Sequence, residues 1–180
     1  MMGVRLSVLS PEDYEKAVAE MLRASRYAPA ELQVTHRKVV QGQDGEYEID
    51  VFASFKALGV DFKVLVECKH HKNPVKREVV QILKDRLHST GSHKGMIFST
   101  AGFQSGAIEY AEAHGIALVQ FADGGTSYLT RSVEPVPKPF WVPDFVGWMH
   151  RLNEEGRETY SLVSRDDIEL IDEFLAGPES

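Results

Sequence analysis

Cysteine is nearly missing from this sequence, long apolar runs are missing altogether, and positive charge falls short of negative. The lone Cys68 cannot close an intramolecular disulfide and has no second cysteine with which to form a zinc knuckle, which fits a reducing compartment. No stretch approaches the length of apolar sequence that a bilayer span needs. The opening MMGVRLSVLSPED has neither the apolar centre nor the small-residue cleavage site of a signal peptide. A cytoplasmic location is the expectation. The formal net charge of -7 argues against a protein that coats nucleic acid non-specifically, because neutralisation of phosphates by Lys and Arg dominates that kind of affinity. There is no internal repeat.

What is present is the composition of one ordinary globular domain: 180 residues, 43% hydrophobic and 26% charged, enough to bury a continuous core. The charge is unevenly spread. From Phe62 to Lys94 there are eight cations (Lys63, Lys69, Lys72, Lys76, Arg77, Lys84, Arg86 and Lys94) against three anions (Glu67, Glu78 and Asp85), a local excess of five. From Arg151 onward the balance reverses, with three arginines against nine carboxylates. Nucleic acid, if bound, is expected at the middle of the chain, with the acidic tail lying away from it or competing with it.

Ser10-Pro11-Glu12-Asp13 reads as a helix start, with Ser as N-cap, Pro at the first helical position and acids facing the positive end of the dipole. The helix runs to about Arg26, and its apolar residues Tyr14, Val18, Met21 and Leu22 recur at helical spacing. From Glu31 the pattern becomes β. Leu32 to Thr35 alternates, Gln41 to Gly45 supplies turn residues, and Tyr47 to Phe55 reads as the second strand of a hairpin. After a turn at Leu58-Gly59 comes a third strand, Phe62 to Lys69, with an apolar centre suited to a buried place in a sheet. Pro74 opens a predicted helix to about His88 with Val75, Val79, Ile82, Leu83 and Leu87 on one side. A short strand from Gly95 to Ser99, a helix from Ser105 to His114 ended by Gly115, and a strand from Ile116 to Phe121 follow. The order αβββαβαβ implies an α/β fold with a mixed central sheet flanked by helices. Beyond Gly125 the periodicity weakens, and Glu134 to Pro139 resembles an extended linker. Residues 1–125 therefore read as the core domain and 126–180 as a C-terminal extension. Its Phe140, Trp141, Phe145 and Trp148 either pack on the core or form an interface with a second copy, and its last helix, Arg165 to Ala176, is amphipathic.

Residues two apart on a strand share a face, so Glu67 and Lys69 project together while Val64, Val66 and Cys68 face the other layer. A hairpin partner strand brings Asp50 beside them. Two carboxylates with room for water and phosphate suit magnesium, which keeps an octahedral oxygen shell and is seldom caged wholly by protein. A lysine there can orient a water or stabilise charge developing on a phosphate.

Asp50 and the Glu67-Cys68-Lys69 strand end resemble the D…ExK signature of PD-(D/E)xK nucleases, and their context is similar to the Mrr-like branch of restriction endonucleases. Tyr14-Glu15 resembles that branch's helix-borne pair. Gly45-Glu46-Tyr47-Glu48-Ile49-Asp50 resembles its glycine-to-aspartate strand, and Lys94 to Ala107 followed by Ala111 to Ile116 resembles its strand, loop and helix after the catalytic pair. The resemblance covers about residues 11 to 122. It implies a restriction-endonuclease-like αβββαβ core and magnesium-dependent hydrolysis of DNA, with manganese as the expected substitute. Asp50 and Glu67 become metal ligands, Lys69 the catalytic lysine, Glu15 a further carboxylate and Gln81 a residue shaping the site. Lys72, Lys76, Arg77 and Lys84 are the candidate phosphate contacts.

Other readings stand beside these. Glu15 is either part of the site or a surface glutamate paired with Lys16 or Lys38, and Glu48, with the strand parity of Asp50, either faces the site or is exposed. His70 and His71 lie on opposite strand faces with no further His or Cys pair at ligand spacing, which disfavours zinc, and Cys68 reads as structural. Ser99, Thr100, Gly102, Ser105 and Gly106 form either an anion-binding helix start or a tight turn. Function divides between a restriction or defence endonuclease, a structure-specific repair or junction nuclease of the same fold, and a non-catalytic DNA-binding or assembly module. A homodimer is expected where both DNA strands are cut.

Overall fold

Helix α1 (Pro11–Arg23) begins as predicted: the Ser10 hydroxyl accepts the Asp13 N–H at 3.1 Å and donates to the Asp13 carboxylate at 2.7 Å, which caps the first turn. The computed structural model describes residues 9–23, 32–57, 59–123, 145–164, 171 and 174. The predicted end of the first helix at 24–26, Leu58, the proline-rich segment 134–139, Phe140, Trp141 and most of the last helix lie outside the described residues; Ile171 and Phe174 are helical.

The strands are β1 (Gln33–Gln41), β2 (Glu46–Ala57), β3 (Val60–Lys69), β4 (Lys94–Ser99), β5 (Ile116–Asp123), β6 (Phe145–Leu152) and β7 (Glu158–Ser164). They form one seven-stranded sheet in chain order. The β3–β4 and β4–β5 pairs are parallel and every other pair is antiparallel. Parallel neighbours need a crossover, and α2 (Arg77–Thr90) and α3 (Ser105–Ala113) supply the two. Gly91 and Gly115, at φ 60° and 61°, take the left-handed turns that end these helices. The β6 and β7 strands escaped the sequence reading because β6 buries Met149 on one face and His150 on the other, which blurs the alternation.

Two apolar cores sandwich the sheet. Tyr14, Val18 and Leu22 of α1 pack on Val51, Val66, Phe98 and Val119, together with Ile171. On the opposite side Val80, Leu83 and Leu87 of α2 and Ala107, Ile108 and Ala111 of α3 cover Leu65, Ile97 and Leu118. The buried stripe of α2 differs from the predicted one. Ile82 is exposed and Val80 takes its place, because the helix starts at Arg77 rather than Pro74. Val75 is buried outside the helix, in a single bridge to Phe103.

One irregularity positions the site. On β2, Val51, Ala53 and Phe55 face the α1 core, but Ile49 faces the α2 core, although residues two apart should share a face. The register on β1 is unbroken, with His36 opposite Val51 and Lys38 opposite Ile49. Between those pairs stands Arg37, whose φ of 49° is left-handed. The hairpin thus changes face at Arg37 and Asp50 without losing a residue.

Candidate active site

The change of face frees Asp50 from the alternation of its strand, and its Oδ2 accepts the backbone N–H of Cys68 on β3 at 2.7 Å. Glu67 and Lys69 share a face of β3 as predicted, with Lys69 Nζ donating to Glu67 Oε1 at 2.5 Å. The other carboxylate oxygen, Oε2, accepts from Arg86 Nη1 on α2 at 2.7 Å. Glu67 is therefore held between two cations. The third carboxylate, Glu15, is buried on α1 at 9% exposure. Its Oε2 accepts from His36 Nε2 at 2.7 Å and from Arg37 Nε at 2.9 Å, so the left-handed residue of the hairpin and its neighbour both reach the helix.

Burial raises the Asp50 carboxyl to about 6, with Glu67 and Glu15 adding to the rise and the Cys68 N–H and Lys69 opposing it. Cys68 lies on the α1 side, opposite Glu67 and Lys69, and burial pushes its thiol well up, so it stays protonated and structural. The hydroxyls after β4 serve the backbone. The Thr100 N–H donates to the Lys69 carbonyl at 3.0 Å, and the Thr100 hydroxyl donates to the His71 carbonyl at 2.9 Å while accepting the His71 N–H at 3.1 Å. Ser99 Oγ accepts the Ala101 N–H at 3.2 Å. These contacts pin the strand end that carries Lys69.

Asp50, Glu67, Lys69 and Glu15 thus gather at one corner of the sheet. Among the described residues no side-chain hydrogen bond joins Gln81 to them; helical spacing puts it on the flank of α2 that carries Arg77 and Lys84, across from Arg86. Arg77 lies over the Tyr110 ring of α3 at 4.9 Å. Lys72 and Lys76 are exposed in the segment leading into α2, whose N-terminus has no side-chain cap. Lys84 is half-buried. Neither partner proposed for Glu15 is used: Lys16 pairs with Glu12 at 2.7 Å, and Lys38 lies 3.9 Å over the Phe52 ring. Glu48 is exposed, since parity with Asp50 fails across the change of face. Sequence reasoning missed Arg86, His36 and Arg37 as partners of the carboxylates. Arg86 stood in the basic stretch, yet only the packing of α2 on β3 tells it apart from its neighbours.

Among the described residues no three His, Cys, Asp or Glu side chains converge closely enough to cage a metal by themselves. The donor set fits magnesium on other grounds. Asp50 and Glu67 offer hard carboxylate oxygens from adjacent strands, and Asp50 is a desolvated carboxylate resting on an N–H rather than on a cation. No helix among the described residues is long and apolar enough to cross a membrane.

A family model for restriction endonucleases, the Mrr catalytic domain, matches residues 6–123. Among solved structures, a protein of unknown function, AF1548, is 26% identical with a TM-score of 0.50 over 61% of this chain and 57% of that one. The DNA modification-dependent restriction endonuclease AspBHI is 17% identical with a TM-score of 0.33, over 61% of this chain and 33% of that one. No curated protein matches the chain.

Proposed function

The chain belongs to the restriction endonuclease family, and from that premise we propose that it is a magnesium-dependent endonuclease that hydrolyses DNA phosphodiester bonds in restriction or defence. The observation that carries this reading is the docking of Asp50 on the Cys68 N–H at 2.7 Å, between Glu67 and Lys69, which are themselves joined at 2.5 Å. Asp50 and Glu67 would hold the magnesium, with manganese as a substitute. Once bound, the ion would polarise the scissile phosphate and lower the pKa of a bound water.

The protein's own groups do the positioning. The Cys68 N–H fixes Asp50, and burial keeps that carboxylate short of solvent, where a cation is the natural neutraliser. Lys69, tethered to Glu67, stands where it can orient a water and stabilise charge developing on the phosphate. Glu15 adds a third carboxylate, itself held by His36 and Arg37. Lys72, Lys76 and Arg77 surround the uncapped start of α2, where backbone N–H groups and the helix dipole favour phosphate; with Lys84 they are the DNA contacts of this reading.

The test is incubation of the purified protein with supercoiled plasmid and with a branched junction in Mg²⁺, Mn²⁺ or EDTA, beside Lys69→Ala and Asp50→Ala. Metal-dependent nicking lost in both variants is expected. Substrates left intact by the wild type in both metals, or cleaved equally by the variants, would overturn the assignment. A preference for the junction would move the role from restriction to repair.

A further inference from the structure

Glu67 is the one member of the corner whose two oxygens are both taken by cations, and the two cations differ in a way that matters. Lys69 and Arg86 sit at 2.5 Å and 2.7 Å from Oε1 and Oε2, and the Glu67 side chain is 12% exposed, so little water screens either contact. Lys69 is a neighbour on the same strand, whereas Arg86 reaches in from α2 and brings a guanidinium that keeps its charge at any pH a protein survives. A divalent cation bound at Glu67 is therefore repelled by Arg86 unless the guanidinium leaves Oε2.

Arg86 has somewhere to go. Its side chain is 27% exposed on α2, within the stretch from Phe62 to Lys94 where cations outnumber anions eight to three. Its planar fork matches two oxygens of a phosphate as well as two of a carboxylate. Resting on the assignment of Asp50 and Glu67 as metal ligands, we propose that Arg86 is an exchangeable counter-ion. It occupies Glu67 in the metal-free protein and passes to a DNA phosphate when the cation takes its place. Cation and DNA then favour one another, because each stabilises the state in which Arg86 has left the carboxylate, and linkage makes that coupling reciprocal.

The experiment is Mg²⁺ titration by calorimetry, without DNA, of wild type, Arg86→Met, Arg86→Lys and Asp50→Asn, followed by binding of a cleavage-resistant phosphorothioate duplex in EDTA and in Mg²⁺. Arg86→Met should bind Mg²⁺ about tenfold more tightly than wild type, with Arg86→Lys in between, and should lose about tenfold in DNA affinity in Mg²⁺ but little in EDTA. Arg86→Gln, which keeps a donor for Glu67 without the charge, replaces Arg86→Met if that variant does not fold. If wild type binds Mg²⁺ and Asp50→Asn does not, but removal of the Arg86 charge leaves Mg²⁺ affinity unchanged or weaker, the counter-ion role is wrong and the metal site stands. An equal DNA penalty with and without Mg²⁺ also overturns the exchange. If no protein binds Mg²⁺, the metal site and the exchange fall together.

Discussion

The two ends of the sheet follow one plan, antiparallel strands flanking a parallel centre, but they hold their ionisable groups in opposite ways. At the β5–β7 end successive residues keep to alternate faces, whatever their polarity: Phe121, Gly147 and Val163 align in one row, and Val119 meets Met149 on the same face. At the β1–β2 end it breaks at Arg37 and Asp50. The regular end buries a single imidazole, His150, at 7% exposure between the rings of Phe103 and Tyr160, with no hydrogen bond to either nitrogen. Burial lowers its pKa, so it sits neutral and packs like an aromatic ring. The irregular end keeps its carboxylates close and gives two of them cationic partners. A strictly alternating ladder sends neighbouring residues to opposite faces, and gathering charge at one corner requires leaving that pattern.

The widest gap between the two ends should appear in catalysis. Lys69→Ala or Asp50→Ala is expected to lower plasmid cleavage by at least about a hundredfold, whereas His150→Phe should leave the rate as it is; loss of cleavage in the His150 variant would erase the contrast. Stability should show the reverse emphasis. Met149, 1% exposed on β6, fills the core, and Met149→Ala is expected to cost about 2–5 kcal/mol by urea unfolding, with cleavage retained while the protein is folded.

The smallest effects sharpen the comparison most, because their signs are opposite. The Asp50 carboxyl is raised from 3.8 to about 6 in the folded protein, so its contribution to stability is present at low pH and lost as pH rises through about 6. His150 is lowered from 6.5, so its contribution is present above that value and lost as pH falls below it. In EDTA, Asp50→Asn should raise Tm by about 2–4 °C at pH 7.5 and by little at pH 4. His150→Phe should raise Tm by a similar amount, about 2–4 °C, at pH 5 and by less at pH 8. Thermal melts across that range check both, and two variants moving in the same direction with pH would remove the distinction.

Much of the fold was legible because the first five strands and three helices carry clear periods: the Ser10 cap, the apolar centre of β3 and the glycine after α3 all fall where local chemistry puts them. Glu67 and Lys69 stood out as polar residues two apart after the apolar run from Val64 to Val66, and Asp50 as the carboxylate on the hairpin strand beside them. What failed were inferences that carried a period across an irregularity. Strand parity left Glu48 either on the face of Asp50 or exposed, and the change of face at the left-handed Arg37 goes with the exposed outcome. Helical periodicity counted from Pro74 put Ile82 in the core, but extended backbone through Lys76 delays the helix and turns Val80 inward. The partners of Glu15 and Glu67 depend on which element packs beside them, and spacing along the chain does not encode that.

Spatial order in the sheet repeats chain order, so strands can join one after another as a nascent polypeptide leaves the ribosome, each finding its neighbour already in place. Asp50, Glu67, Lys69 and Arg86 all precede β4, so the corner is among the earliest parts to be synthesised. The delay falls at the other margin. Until β6 arrives, β5 is an open border whose Ile116, Ala117, Leu118, Val119 and Phe121 are all apolar and, in the finished fold, buried. A growing or truncated chain that stops at Asp123, where the family match also ends, presents that border to other chains as a template for intermolecular pairing. The two strands beyond it cover that border, and the new outer strand β7 sets Glu158, Thr159 and Ser161 beside its exposed Tyr160 and Leu162, a more mixed edge than bare β5 would be.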